Sequence, residues 1–123
     1  MTTLIIDDNE ITRELLRVTM RSDGYQVLGE ATDGESGMEM VARLKPDVVF
    51  LDIVMPGMSG IDVLKSIKSK LPKTVVLMVT GNSDRATVQA AVQNGAGGFI
   101  LKPFNTGTVL KTVENALQRA RSA

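Results

Sequence analysis

The chain has 123 residues, with 14 basic and 14 acidic side chains and a hydrophobic fraction of 43%. This composition excludes a long disordered chain and disfavours general nucleic-acid binding, which needs a basic excess. Because cysteine and histidine are absent, disulfides, thiolate or imidazole metal sites, Ser-His-Asp catalysis and a phosphohistidine of the chain's own are excluded. There is no signal-peptide pattern and no apolar run of roughly 18 residues, so we expect one soluble, cytoplasmic domain over residues 1–123 that contacts no membrane.

Five short apolar runs predict strands, and a segment with helical spacing follows each of them. The runs begin near residues 4, 25, 47, 74 and 98, and those at 47 and 74 are continuous, as in strands buried on both faces of a parallel sheet. The alternation predicts an α/β fold of five βα units with a parallel sheet and helices on both faces. We assign five helical stripes to the core: Ile11, Leu15 and Val18; Met38, Val41 and Leu44; Ile61, Leu64 and Ile67; Val88, Ala91 and Val92; Val109, Val113 and Leu117.

Residues that begin or end helices lie between these predicted elements. We expect the second helix to be the weakest, because Gly34 and Gly37 lower its propensity. Glycines at two predicted helix ends are Gly24 and Gly95. The candidate N-caps are Asp8 or Asn9, Thr32 or Asp33, Ser59, and Ser83 or Asp84.

Functional side chains follow four of the five predicted strands. They are Asp7-Asp8, Asp52, Thr80-Gly81 and Lys102-Pro103. Taken singly, these residues have plainer explanations: the aspartates and the threonine could cap helices or turns, and the lysine could extend into solvent. In an open α/β sheet, however, ligands bind beyond the carboxyl ends of the strands.

Three carboxylates gathered at that edge repel one another unless a cation lies among them. Hard oxygen ligands without imidazole or thiolate favour Mg²⁺, with Mn²⁺ as the alternative, and Mg²⁺ readily shares its shell with phosphate oxygens. Lys102 would offer a positive charge to a phosphoryl group, Thr80 a hydroxyl and Gly81 a backbone N–H. A carboxylate can itself accept the phosphoryl group, and Asp52, alone at the end of a central strand, is the best candidate.

At these positions the sequence resembles the receiver domain of bacterial two-component response regulators. The resemblance covers the whole chain and implies the flavodoxin-like strand order 2-1-3-4-5. The matching segments are Asp7-Asp8, Leu51-Asp52-Ile53-Val54-Met55-Pro56-Gly57-Met58-Ser59-Gly60, Thr80-Gly81 and Phe99-Ile100-Leu101-Lys102-Pro103-Phe104.

The resemblance implies a phosphorylation site. Asp52 would accept a phosphoryl group from a sensor histidine kinase or a histidine phosphotransfer protein, and Lys102 would contact that group. Mg²⁺ would be bound by Asp8, Asp52 and the backbone carbonyl of Val54, with Asp7 holding it through water.

The resemblance also implies a switch. Thr80 would move toward the phosphoryl group, Phe99 would change rotamer, and the Lys102–Pro103 bond would be cis. Positions 54 and 82 would tune the rate of dephosphorylation, and the apolar Val54 would not accelerate it.

Phosphorylation would then alter a face made of the fourth helix, the fifth strand and the fifth helix, which would bind a downstream protein. On this interpretation the chain is a phosphoacceptor, not a turnover enzyme, and makes no direct contact with nucleic acid. Lys111, Arg119 and Arg121 make the last helix mildly basic, either as a solvated face or as a docking surface.

Three alternatives remain at this point. The chain could be a receiver module cut from a longer regulator with a DNA-binding or enzymatic output domain. It could be a degenerate receiver that serves only as a scaffold. Lastly, it could be a small enzyme on the same layout, although a flavodoxin loop would not begin with Asp7-Asp8 and a haloacid-dehalogenase-type phosphatase needs an aspartate where Val54 stands.

Overall fold

The structure, a computed structural model, describes residues 1–81 and 84–122. One parallel sheet has the strand order β2-β1-β3-β4-β5, which confirms the α/β, flavodoxin-like architecture and its order. The elements are β1 (Thr2–Ile6), α1 (Glu10–Ser22), β2 (Gln26–Ala31), α2 (Gly34–Leu44), β3 (Val48–Asp52), α3 (Gly60–Lys70), β4 (Val75–Thr80), α4 (Arg85–Gln93), β5 (Gly98–Leu101) and α5 (Thr106–Ser122).

Two separate apolar layers cover the faces of the sheet. Successive strand residues point to opposite faces, so Leu4 and Ile6 enter one layer and Ile5 the other. Helices α2, α3 and α4 close the first layer, and α1 and α5 close the second. β3 and β4 are buried along their whole length, which explains their continuous apolar sequences.

The side chains that begin the helices are those predicted from the sequence, with one addition. Asn9, Asp33, Ser59 and Asp84 each accept a hydrogen bond from the backbone N–H three residues later. Ser83, the alternative to Asp84, lies outside the described residues. α5 follows a cap that we did not predict, Asn105, whose side chain accepts from the Thr108 N–H at 2.9 Å.

The predicted core stripe of α1 is wrong. Ile11, Leu15 and Val18 are 68%, 50% and 55% exposed, and α1 instead buries Thr12, Leu16, Thr19 and Met20. The buried face is rotated by one residue, about 100°, and it includes two threonines, Thr12 and Thr19. The same rotation turns Arg13 and Arg17 toward Glu30 of β2. The aliphatic residues of α1 that repeat at helical spacing therefore mark its solvent-exposed face, not its buried face.

The stripe predicted for α4 is only partly correct. Ala91 is buried and Val88 is half-buried, but Val92 is exposed. The stripes of α2, α3 and α5 are confirmed, since every member is buried or half-buried. In the part of the chain that the structure describes, no helix combines the length and apolar character needed to cross a bilayer.

Candidate functional site

Three carboxylates meet at the carboxyl edge of the sheet, where β1 lies beside β3. The chain connections leave β1 in one direction and β3 in the other, so a crevice opens between the two strand ends. Asp7 and Asp8 directly follow β1, and Asp52 is the last residue of β3. One carboxylate oxygen of each lies within 4.8 Å of the others, so the structure brings the predicted acidic residues together.

The two inner carboxylates are removed from solvent, while Asp8 is exposed. Asp7 and Asp52 are only 1% and 5% exposed. Asp7 Oδ1 accepts a hydrogen bond from the Asn9 N–H at 2.8 Å. Asp7 Oδ2 is buried and accepts no hydrogen bond from the described residues, although it lies 3.1 Å from Lys102 Nζ. This contact is an ion pair without hydrogen-bond geometry, so the oxygen can still accept a hydrogen bond from a water molecule bound to a cation.

Lys102 lies between the two buried carboxylates. Its Nζ is 3.1 Å from Asp7 Oδ2 and 3.5 Å from Asp52 Oδ2. The β4–β5 pairing delivers it there, because the Lys102 N–H donates to the Thr80 carbonyl at 2.8 Å. The Lys102–Pro103 peptide bond is cis.

The site holds Asp52 in an environment that disfavours its charge. Burial raises the pKa of Asp52 to about 6, and the neighbouring Asp7 carboxylate adds to that increase. The Lys102 ammonium and the Val54 N–H, which donates to Asp52 Oδ1 at 3.2 Å, act in the opposite direction. A cation among the carboxylates would relieve the repulsion that remains.

The other predicted residues surround this cluster at different depths. Thr80 ends β4 and is buried, whereas Val54 and Gly81 are exposed on the loops that follow β3 and β4. Among the described residues, a Cβ at Gly81 would meet no atom within 4 Å, so packing against them does not explain a glycine there. Phe99 pairs with Met78 across β4 and β5 and is half-buried against the α2–α3–α4 layer. Asn82, the second predicted rate-tuning position, lies outside the described residues.

Gly60 lies in the matching segment, but its role in positioning the site was not assigned from the sequence. It begins α3, and a Cβ there would lie 2.6 Å from Ile53 Cα and closer still to the Asp52 carbonyl oxygen. Its N–H donates to the Ile53 carbonyl at 2.9 Å. Glycine is therefore what lets α3 begin against the backbone of Asp52. The signal was present, because a glycine directly after the Ser59 cap has no explanation in helix propensity.

Arg13 was also missed. One of its guanidinium nitrogens donates to the Asp7 carbonyl at 2.8 Å, and Nε lies 3.3 Å from Glu30 on β2. Nothing in the sequence pattern connects these residues, because the contact depends on how α1 is rotated against the sheet.

The donor set fits a divalent cation of the Mg²⁺ type. Asp7, Asp8 and Asp52 offer hard carboxylate oxygens, and one buried oxygen of Asp7 has no hydrogen-bond donor among the described residues. Such a set is typical of Mg²⁺ or Mn²⁺ and unlike the nitrogen and sulfur sites of zinc.

Comparisons with known proteins agree on one family. A family model described as the response regulator receiver domain matches residues 3–114. The chain is 38% identical to the chemotaxis protein CheY of Thermotoga maritima, over 89% of this chain and 92% of that protein. It is 39% identical to a cyclic di-GMP phosphodiesterase of the same organism, over 96% of this chain but 31% of that protein. A CheX–CheY–BeF₃–Mg²⁺ crystal structure from Borrelia burgdorferi matches with a TM-score of 0.91 and 30% identity, covering 94% of this chain and 88% of that one.

Proposed function

Since the chain belongs to the response regulator receiver family, a family of signalling modules, we propose that it is a Mg²⁺-dependent phosphoacceptor on Asp52 and that residues 1–123 act as one receiver domain. The observation that carries this proposal is the cluster of Asp7, Asp8 and Asp52, whose carboxylate oxygens lie within 4.8 Å of one another, with Lys102 at ion-pair distance from Asp7 and Asp52. Residues 1–123 contain no histidine, so the phosphohistidine lies outside them, and we propose that a sensor histidine kinase or a histidine phosphotransfer protein supplies it.

In the proposed reaction an oxygen of the Asp52 carboxylate attacks the phosphorus of the donor. The P–N bond breaks, and its electron pair stays with the imidazole nitrogen, so an acyl phosphate forms on Asp52. Lys102 neutralises charge on the transferred oxygens. Mg²⁺ bound by Asp8, Asp52 and the Val54 carbonyl, with Asp7 acting through water, would supply further charge neutralisation. We place this chemistry in the cytoplasm, and the chain turns over no external substrate.

The phosphoryl group would act on the neighbouring strands. It adds roughly 1.5 to 2 negative charges and three acceptor oxygens beside Thr80 and Lys102. The backbone hydrogen bond from Lys102 to Thr80 joins the ends of β4 and β5, and Phe99 lies on β5 three residues before Lys102, so this connection could carry a movement to Phe99. We propose that α4, β5 and α5 form the output face that a downstream protein reads.

The exposed stripe of α1, made of Ile11, Leu15 and Val18, is the surface that we assign to the phosphodonor. α1 begins two residues after Asp8, so this stripe continues from the rim of the site. Three large apolar side chains at helical spacing are exposed together, as in surfaces that bind another protein. A donor helix laid on this stripe would bring its phosphohistidine to the carboxyl edge of the sheet.

A second candidate function uses the same chemistry within a longer regulator. It is favoured by the cyclic di-GMP phosphodiesterase, of which this chain covers 31%. In that case the α4–β5–α5 face would control an attached output domain instead of a separate protein.

The test is intact-mass measurement after incubation with acetyl phosphate and Mg²⁺. We expect wild type to gain one phosphoryl mass, and Asp52→Asn to gain none because its nucleophile is gone. Asp23→Asn, which changes an exposed carboxylate at the opposite end of α1, is the matched control and should label like wild type. Labelling of Asp52→Asn equal to that of wild type, or no labelling of wild type, would refute the proposal.

A further inference from the structure

The loop that carries Asp7 and Asp8 is held from both sides. On the inner side, the Asp7 N–H donates to the Ala31 carbonyl at 3.0 Å and continues the β1–β2 pairing. On the helix side, Asn9 caps α1 by accepting from the Thr12 N–H at 2.9 Å. Between these two anchors lies the Asp7–Asp8 peptide group, whose carbonyl faces α1.

That peptide group is held by Arg13. Its guanidinium donates to the Asp7 carbonyl at 2.8 Å and contacts Glu30 through Nε at 3.3 Å. The Arg13 and Glu30 side chains are only 15% and 23% exposed, so water competes weakly for these contacts. Glu30 is held in turn by Arg17, at 2.5 Å. We call the Arg13–Glu30 pair the brace, because it links α1 and β2 to the backbone next to Asp8.

Geometry is the main contribution of this brace. Glu30 carries one negative charge against the two positive charges of Arg13 and Arg17, so the group keeps one net positive charge. A positive charge near the carboxylates would weaken cation binding, so any favourable effect of Arg13 on the cation comes from geometry. The hydrogen bond from Arg13 to the Asp7 carbonyl fixes the orientation of the Asp7–Asp8 peptide plane. The orientation of that plane limits the directions in which the Asp8 side chain can point. Asp8 is exposed, so few packing contacts of its own keep it in place.

We propose that Arg13 is a positioning residue for the metal site, which it serves by fixing the Asp7–Asp8 peptide so that the Asp8 carboxylate stays in the cluster with Asp7 and Asp52. This inference rests on the proposed function, because it concerns the same cation. Residues that orient metal ligands typically change affinity by 10- to 100-fold when they are substituted.

The test compares Arg13→Met with Arg17→Met. Both variants remove one arginine from the same glutamate, but Arg17 lies one helical turn further from the Asp7–Asp8 loop. Mg²⁺ dissociation constants are measured by NMR titration of backbone amides, and unfolding in urea reports stability. Arg13→Met should bind Mg²⁺ about tenfold more weakly, and Arg17→Met should stay within about twofold of wild type. Acetyl phosphate labelling at saturating Mg²⁺ should fall less than threefold in both variants, since the brace acts on binding of the ion.

Arg13→Lys keeps the charge but not the planar fork that reaches two acceptors, so it should also bind Mg²⁺ several-fold more weakly. It serves as the test if Arg13→Met does not fold. Equal Mg²⁺ affinities in the Arg13 and Arg17 variants, or wild-type affinity in Arg13→Lys, would overturn the role of Arg13 and leave the phosphoacceptor proposal standing. Failure of wild type to bind Mg²⁺ would overturn both.

Discussion

Asp52 is a residue whose surroundings work against its own charge. It lies buried beside a second carboxylate and is only partly compensated by Lys102, which raises its pKa to about 6. The usual pKa of an aspartate in an unfolded chain is 3.8. The folded state therefore holds the Asp52 proton more tightly than the unfolded state does, so ionised Asp52 destabilises the fold. This penalty is absent below about pH 4, grows as the pH rises to 6 and is constant above that.

We therefore expect Asp52→Asn to be more stable than wild type at pH 7 without divalent ions, by about 1–3 kcal/mol. The difference should shrink toward zero at pH 4, because Asp52 is then protonated in both folded and unfolded states. Urea unfolding between pH 4 and 8 measures it.

In the same experiment, Mg²⁺ at pH 7 should reduce this difference in stability, since the cation binds wild type more tightly than the variant, which lacks one ligand carboxylate. Asp23→Asn is the control and should show no comparable trend. If Asp52→Asn were less stable than wild type at pH 7, the attraction between Lys102 and ionised Asp52 would outweigh the cost of burying Asp52 and its repulsion from Asp7.

At the scale of single elements, α2 shows why low helix propensity was tolerated. Gly34 and Gly37 were expected to weaken this helix, yet a Cβ at Gly37 would lie 2.6 Å from the side chain of Ile6. The glycine lets α2 pack directly on β1, close to the strand end that carries Asp7. Tertiary packing therefore compensates for propensity in this helix.

α1 shows the opposite case, in which an apolar stripe remains in solvent. We expect the double variant Ile11→Ser, Leu15→Ser to lose at least tenfold in phosphotransfer rate from a histidine donor, because an apolar contact surface is removed. Labelling by acetyl phosphate, which needs no docking, should stay within twofold of wild type. The donor is chosen from a panel of purified, autophosphorylated histidine kinases as the one that phosphorylates wild type fastest.

Val92→Ser is the matched control for that experiment, since Val92 is similarly exposed but lies on α4. We expect it to transfer like wild type. If the α1 variant is phosphorylated by the donor at the wild-type rate, the stripe is not the docking surface. Equal losses with both phosphodonors would mean that the substitutions damaged the acidic site itself.

At the scale of the whole molecule, the proposed switch requires that a phosphoryl group at one edge of the sheet alters the proposed output face of α4, β5 and α5. The path available runs through the ends of β4 and β5, which share the Lys102–Thr80 backbone hydrogen bond, to Phe99 and α4. Coupling free energies of about 1–3 kcal/mol are typical of such links. A shift from 1:99 to 99:1 would need about 5.5 kcal/mol, so partial activation is expected.

We expect beryllofluoride with Mg²⁺, a mimic of the phosphoryl group, to shift the backbone amide NMR signals of Phe99 and residues 84–96. Signals at the amino ends of β1 and β2, remote from the site, should stay in place, and Asp52→Asn should show none of these changes. Shifts confined to the loops around Asp8 and Asp52 would contradict the output face proposed here.

The sequence by itself determined the succession of strands and helices along the chain and the residues at the strand ends. Its candidate caps included the side chains that begin α1, α2, α3 and α4, but not Asn105, which begins α5. These features depend on local chemistry: apolar runs, capping side chains and glycine or proline at boundaries. It predicted the acidic cluster too, because parallel strands place their carboxyl ends at one edge. It did not determine the buried face of α1, because two stripes of that helix are plausible and only docking on the sheet chooses between them. The roles of Gly60 and Arg13 depended on the same tertiary packing, since each acts through backbone atoms that contact only in the folded chain.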